Sequence, residues 1–193
     1  MTGISSPRLT SFSIMCMMIF SLIFSGGIAH AQTLVLKDLV IDSHAGMFMA
    51  RFGVGIAGQE HVLEVLNGGV SVQLNCDAQL VKRSTFWNDS TVLEKSIKNT
   101  IHFDSLNKEF VLTMSEGGKT IRSSSLKKLV EEGWSTINME LGPWSALDQG
   151  EEYSLKLIIS LEQTDIPGWF ERTLVFWSWD VAPSTSYQLD FSY

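Results

Sequence analysis

Along much of its length this chain alternates apolar and polar residues with a period of two. The clearest run is Val70, Val72, Leu74, Cys76, Ala78 and Leu80, separated by Ser71, Gln73, Asn75, Asp77 and Gln79. In an extended backbone successive side chains point to opposite faces, so such a run is a strand with one dry and one wet face. Leu155, Leu157, Ile159 and Leu161 repeat the pattern, as do Ile137, Met139 and Leu141, then Phe48, Ala50, Phe52 and Val54. Tyr187, Leu189, Phe191 and Tyr193 end the chain in the same way. Ile97, Ile101 and Phe103, then Phe110, Leu112 and Met114, flank Asp104–Lys108 and predict a hairpin. Leu34–Ile41 predicts a strand whose facing the pattern leaves open. One wet face per strand excludes a parallel sheet, whose strands are buried on both sides. The expected fold is mainly β, an antiparallel β-sandwich of about eight strands with two or three short helices.

The helices come from breaks in the alternation. Gln59–Leu66 groups Val62, Val65 and Leu66 on one side and is expected to stop at Asn67-Gly68. Ser124–Glu132 groups Leu126, Leu129 and Val130 and is expected to stop at Gly133. Its charges oppose the helix dipole, with Lys127 and Lys128 early and Glu131 and Glu132 late, so packing must hold it in place. A third helix is expected around Asp165–Trp177, where Ile166, Phe170, Leu174 and Trp177 have helical spacing after Pro167.

Residues 1–31 have a different composition. Arg8 is the only charged side chain before Lys37. Ile14–Phe24 is an apolar run of about a dozen residues, the length of a signal-peptide core and short for a membrane span. Ala29-His30-Ala31 supplies the small residues of a cleavage site. The expectation is an exported, periplasmic chain with a signal peptide at 1–31, cleaved after Ala31, and a single domain at 32–193. Anchoring by an uncleaved signal is the alternative. Cys16 lacks the small residues that precede a lipidated cysteine and leaves with the signal. Cys76 then remains alone, and the core must hold the fold without a disulfide. Loss of Arg8 makes the processed chain one unit more negative than the −7 of the whole sequence. That balance argues against nucleic acid and anionic membrane as partners.

Few motifs suggest chemistry. Gly53-Val-Gly55-Ile-Ala-Gly58 spells G-x-G-x-x-G between a strand and a helix, with Asp77 further on. The helix is too short for a crossover and the next strand is half-wet, so we read a glycine-rich turn and no dinucleotide site. His61 and Glu64 share a helix face, but two ligands do not make a zinc site. His44 and His102 fall in no recognisable catalytic pattern. Cys76 lies between Leu74 and Ala78 on the dry face, which makes it a core residue. No G-x-S-x-G or S-x-x-K is present. These observations lead to no catalytic, cofactor-binding or metal-binding residues. Lys82, Arg83, Phe86 and Trp87 form a small basic–aromatic group at a strand end. Trp169, Phe170, Phe176, Trp177 and Trp179 cluster further on, and Trp169, beside Pro167-Gly168, is the one expected at the surface. Lys82, Arg83, Phe86, Trp87 and Trp169 are therefore the candidate partner-binding residues.

In order and spacing these landmarks resemble the bacterial family called domain of unknown function 4390. The resemblance runs through Arg51-Phe52, Leu66-Asn67-Gly68, Leu80–Arg83 with Phe86-Trp87 and Asp89, and Phe103–Leu106 before Phe110-Val111. It continues through Ser125-Leu126 to Trp134, Gly150–Tyr153 to Leu161, Ile166-Pro167 and Trp179-Asp180. The family brings no catalytic residues. It implies an exported single-domain protein with an accessory role near membrane sensor kinases. The expected function is non-enzymatic binding of a protein partner in the envelope, such as a sensor ectodomain. The alternatives are a small-ligand or glycan-binding module, and a hydrolase whose site the sequence hides.

Overall fold

A computed structural model of the chain describes residues 33–84, 88–165 and 180–193. Strands β1 (Thr33–His44) and β2 (Met47–Ala57) form a hairpin, and helix α1 (Glu60–Asn67) leads into β3 (Ser71–Lys82). Strands β4 (Ser90–Asp104), β5 (Glu109–Met114) and β6 (Thr120–Ser123) follow as a meander. Helix α2 (Leu126–Trp134) precedes β7 (Ile137–Pro143), a 3-10 turn (Trp144–Ala146), β8 (Glu152–Thr164) and β9 (Asp180–Ser192). The expected helix around Asp165–Trp177 falls, beyond Asp165, outside the described residues.

All strand pairs are antiparallel. They make a three-stranded sheet, β1-β2-β7, and a six-stranded sheet, β6-β5-β4-β3-β8-β9. The two pack as the sandwich the alternation predicts, with β7 against β4 and β1 against β9 and β8. Helix α2 packs on β2, β5 and β6, covering the part of the large sheet that three strands do not reach. Among the described strands the pattern does not announce β6, whose four residues are too few to show a period.

Strand β3 is the centre of the large sheet. Val72, Leu74, Cys76, Ala78 and Leu80 are all buried on its inner face. Cys76 lies level with Ile97 of β4 and Ile159 of β8, and Leu80 lies level with Leu93 and Leu155. The facing of β1 is ambiguous in sequence because the strand bulges. Its register shifts between Lys37 and Val40, and Asp38 takes a positive φ of 50°. Leu34 and Leu36 point inward before the bulge, and Leu39 and Ile41 after it. One extra residue changes the parity of a strand, which hides a period-two pattern.

Helix α1 ends as expected at Asn67 with Gly68 as its C-cap, whereas α2 differs from expectation at its end. At the end of α1 the left-handed turn is made by Gly69 (φ 84°) and not Gly68 (φ −71°). Helix α2 runs through Gly133 to Trp134. Gly133 is no stop: a Cβ there would lie 2.1 Å from Leu112 Cδ2, so its lack of a side chain lets the helix approach β5. The first turn of α2 has no acid and the last has no base, as its adverse charge order implies. Each exposed mismatch costs about 0.3–1 kcal/mol. Leu126, Leu129, Val130 and Trp134 are buried, and each such side chain contributes roughly 1.5–3 kcal/mol, so packing outweighs the charges.

The G-x-G-x-x-G segment also departs from its expected form. Gly53 and Gly55 lie within β2, and only Gly58 (φ 71°) makes a turn. Without a parallel pair among the described strands there is no βαβ crossover for a dinucleotide fingerprint to serve. The glycines instead admit close neighbours. A Cβ on Gly53 would lie 2.6 Å from the backbone oxygen of Ser135, whereas one on Gly55 would come no nearer than 3.4 Å to the flexible end of Lys37 and 3.9 Å to the backbone oxygen of Val35, ordinary contacts. Gly53→Ala is therefore expected to destabilise by about 1–3 kcal/mol, the usual cost of overpacking. Gly55→Ala is expected to be neutral, or stabilising by about 0.5 kcal/mol, as alanine is generally favoured over glycine within strands. Denaturant midpoints of the two variants check this, and equal losses would contradict it.

Candidate functional site

Charge and aromatic area come together at one end of the sandwich. Four pieces of chain meet there: the β1–β2 turn, the end of β3, the 3-10 turn and the last residues of β9. The turn is built from Ala45 (φ 51°) and Gly46 (φ 79°), whose left-handed backbone reverses the chain tightly. Gly46 presents its carbonyl to the Trp144 amide at 2.8 Å, which seats the 3-10 turn against the hairpin. Gly150 donates its N–H to the Tyr193 carbonyl, and Tyr193 donates back to Glu151 at 3.1 Å. The carboxyl end of the chain is thus pinned to the segment before β8.

Aromatic rings run across this end from surface to core. Trp144 lies 5.1 Å from Phe48, Phe48 is 5.9 Å from Phe191, and Phe191 is 5.8 Å from Tyr153. Phe48 and Tyr153 are fully buried, and the Tyr153 hydroxyl accepts the Asp148 amide at 2.8 Å. At the surface Trp144 meets Tyr193 edge-on, with centroids 5.4 Å apart and planes at 84°. Trp144 is half-buried, and Tyr193 keeps 36% of its surface exposed. The pair shows an apolar area with polar tips and rests on a rigid stack.

Ion pairs rim the aromatics. Lys82 Nζ lies 3.0 Å from Asp148 Oδ2 and 3.1 Å from Glu151 Oε1. Its hydrogen bond to Asp148, then that to Glu151, hold the ammonium above its ordinary pKa. Arg83 pairs with Asp190 at 3.6 Å. The Asp190 carboxyl sits below its usual range, first because the Gln188 amide donates to it at 2.9 Å and further because Arg83 is near. Of the expected partner-binding residues, Lys82 and Arg83 therefore stand together but already neutralised by this chain's own acids. Phe86, Trp87 and Trp169 lie outside the described residues. Sequence reasoning missed Trp144 as a surface residue. The available signal was Pro143-Trp144 at a break between alternating segments.

The remaining candidates are scattered. His61 Nδ1 lies 3.6 Å from Glu64 on the exposed face of α1, while His44 and His102 are exposed elsewhere. Among the described residues no three His, Cys, Asp or Glu side chains come together as a metal site. Open grooves of about 320 and 470 Å³ lie over Asp77–Gln79 with Glu94–Ser96, and between Met49, Glu140 and the Lys95–Glu116 ion pair, which spans 3.0 Å. A hydrogen-bonded row on the outer face of the large sheet joins Gln73 to Asn75, Asn75 to Ser160 and Ser160 to Glu162.

Cys76 is wholly buried. Burial pushes its thiol up to about 12, and the neighbouring Asp77 charge adds to the shift. A thiol so protonated is no nucleophile at neutral pH. Thiol reagents are expected to label Cys76 slowly in the folded protein and quickly in denaturant. Stability should also decline from about pH 9, the ordinary pKa of the unfolded thiol, up to about 12, because only the unfolded chain ionises in that window. Rapid labelling of the folded protein would contradict the facing of β3.

No curated protein and no solved structure matches the chain. A family model matches residues 31–190, which takes in every described element except the last residues of β9. The chain belongs to the family Domain of unknown function (DUF4390).

Proposed function

We propose that the protein is exported and works in the cell envelope by binding another protein, with no substrate turned over. The observation that carries this is the half-exposed Trp144–Tyr193 pair inside its rim of ion pairs. Aromatic side chains with an apolar body and a polar tip dominate the centres of protein interfaces, and charged groups occupy their rims. The rigid stack of Phe48, Phe191 and Tyr153 beneath the pair lowers the ordering cost of binding. Lys82 and Arg83 act on this reading as part of a balanced rim and not as a free cationic patch. The partner we propose is the exported domain of a membrane protein, with the protein serving as an accessory to envelope signalling.

Processing is the first test. Mass spectrometry of the protein from its own cells is expected to place the amino terminus at Gln32, after the Ala29-His30-Ala31 site. An intact Met1 terminus in the cytosol would remove the export on which the proposal stands. The second test is quantitative affinity capture from the envelope fraction. Tyr193→Ala is expected to cost about 2 kcal/mol or more of binding, a capture roughly thirtyfold weaker, with thermal unfolding still cooperative. A captured protein bound equally well by wild type and by Tyr193→Ala would move the site elsewhere. A substrate turned over at a rate that one non-destabilising substitution abolishes would overturn the proposal.

A further inference from the structure

Four strands stand at sheet edges among the described residues: β1, β7, β6 and β9. Unpaired edges recruit other strands unless something blocks them. Strand β1 carries the Asp38 bulge and the charges of Lys37, Asp38 and Asp42. Strand β7 has seven residues with Glu140 midway and Pro143 at its end, and it packs beside β4. Strand β6 has four residues, one of them Arg122. Strand β9 has thirteen. Its proline, Pro183, lies near its start, and residues 184–192 contain no lysine or arginine and one acid, Asp190, which Arg83 offsets. From Thr185 to Ser192 it pairs with β8 in unbroken register, so its outer edge is regular. Tyr187, Leu189 and Phe191 point into the sandwich there and are only half-buried.

We infer that β9 pairs with β9 of a second copy of this chain, antiparallel, across a two-fold axis at Gln188. What selects a second copy is self-complementarity. With the axis at Gln188, Tyr187 faces Leu189, Thr185 faces Phe191, Ser186 faces Asp190 and Ser184 faces Ser192, each pair occurring twice. On the inner face Tyr187 meets Leu189 and the Thr185 side chain meets Phe191, on the outer face polar residues meet, and no two like charges are opposed. The large sheet then runs continuously through both copies, and each β9 covers the half-buried side chains of the other. This goes beyond the proposed partner binding and does not rest on it, since the Trp144–Tyr193 end is read by capture and the β9 edge by mass.

Sedimentation of the protein purified from its own cells tests it. The wild type is expected to pass from monomer to twice that mass as concentration rises. Gln188→Glu and Gln188→Lys each place like charges on the axis, and each alone is expected to move the dimerisation midpoint at least tenfold upward. Their equimolar mixture is expected to restore the dimer, as opposite charges then meet. Gln188→Cys is expected to form an interchain disulfide under mild oxidation. Buried Cys76 is expected to stay inert, and Ser96→Cys, exposed on β4, is expected to form no interchain disulfide under the same oxidation. A wild type that remains monomeric at its highest soluble concentration overturns the inference. So does a dimer indifferent to both single charges, or a mixture that fails to recover it.

Discussion

The rest of the molecule depends on β3 being buried on one face and held in register from both sides. Its inner side chains, Val72 to Leu80, are flanked on the left by β4 and on the right by β8 without a slip until Leu80. A one-residue shift in either neighbour would turn an entire row of Leu and Ile to water, and each side chain is worth roughly 1.5–3 kcal/mol. That penalty fixes the order of the large sheet, and the other elements are placed by what this sheet leaves uncovered. Cys76 lies at its centre, and the burial that makes it a good core residue also suppresses its ionisation.

What could be read from the residues follows the same logic. Strands that bury one face carry the period-two signature, and the facing of β2, β3, β7 and β8 was legible for that reason. The Asp104–Lys108 turn was legible too. The Asp104 carboxylate accepts from the Asn107 side chain and backbone, from the Leu106 amide and from Arg122, so it stays ionised down to about pH 2. Features set by tertiary approach were not legible. Gly133 looked like a helix stop because a glycine's chain context does not reveal that Leu112 lies above it. Gly53 and Gly55 looked like a turn for the same reason, when the backbone of Ser135 and the side chain of Lys37 are what they admit.

The functional end shows a further limit. Lys82 and Arg83 were visible as a basic pair, but their acids come from Asp148, Glu151 and Asp190, far away along the chain. A pair of cations read alone suggests an anionic partner. The same pair with three carboxylates around it carries no net positive charge, and exposed ion pairs of this kind contribute about 0–1 kcal/mol. The recognition chemistry at this end therefore passes from charge to the aromatic surface of Trp144 and Tyr193, for which the sequence offered only the break at Pro143-Trp144 as a signal.

The two sheets are unequal, and that inequality explains where the surface is unfinished. Three strands cannot cover six. Helix α2 makes up the shortage at the β5–β6 side, where Leu126, Leu129, Val130 and Trp134 close the core. On the opposite side no helix does the same work among the described residues. Strand β1 packs on β9, with the Leu36 amide donating to the Tyr187 hydroxyl at 3.2 Å, and leaves Tyr187, Leu189 and Phe191 half-covered. The bulge at Asp38 bends β1 and blunts its own edge, whereas half-buried apolar side chains line the regular edge of β9. A sandwich with one side sealed by a helix and the other ending on a regular strand has a built-in direction for association, and β9 is where it points.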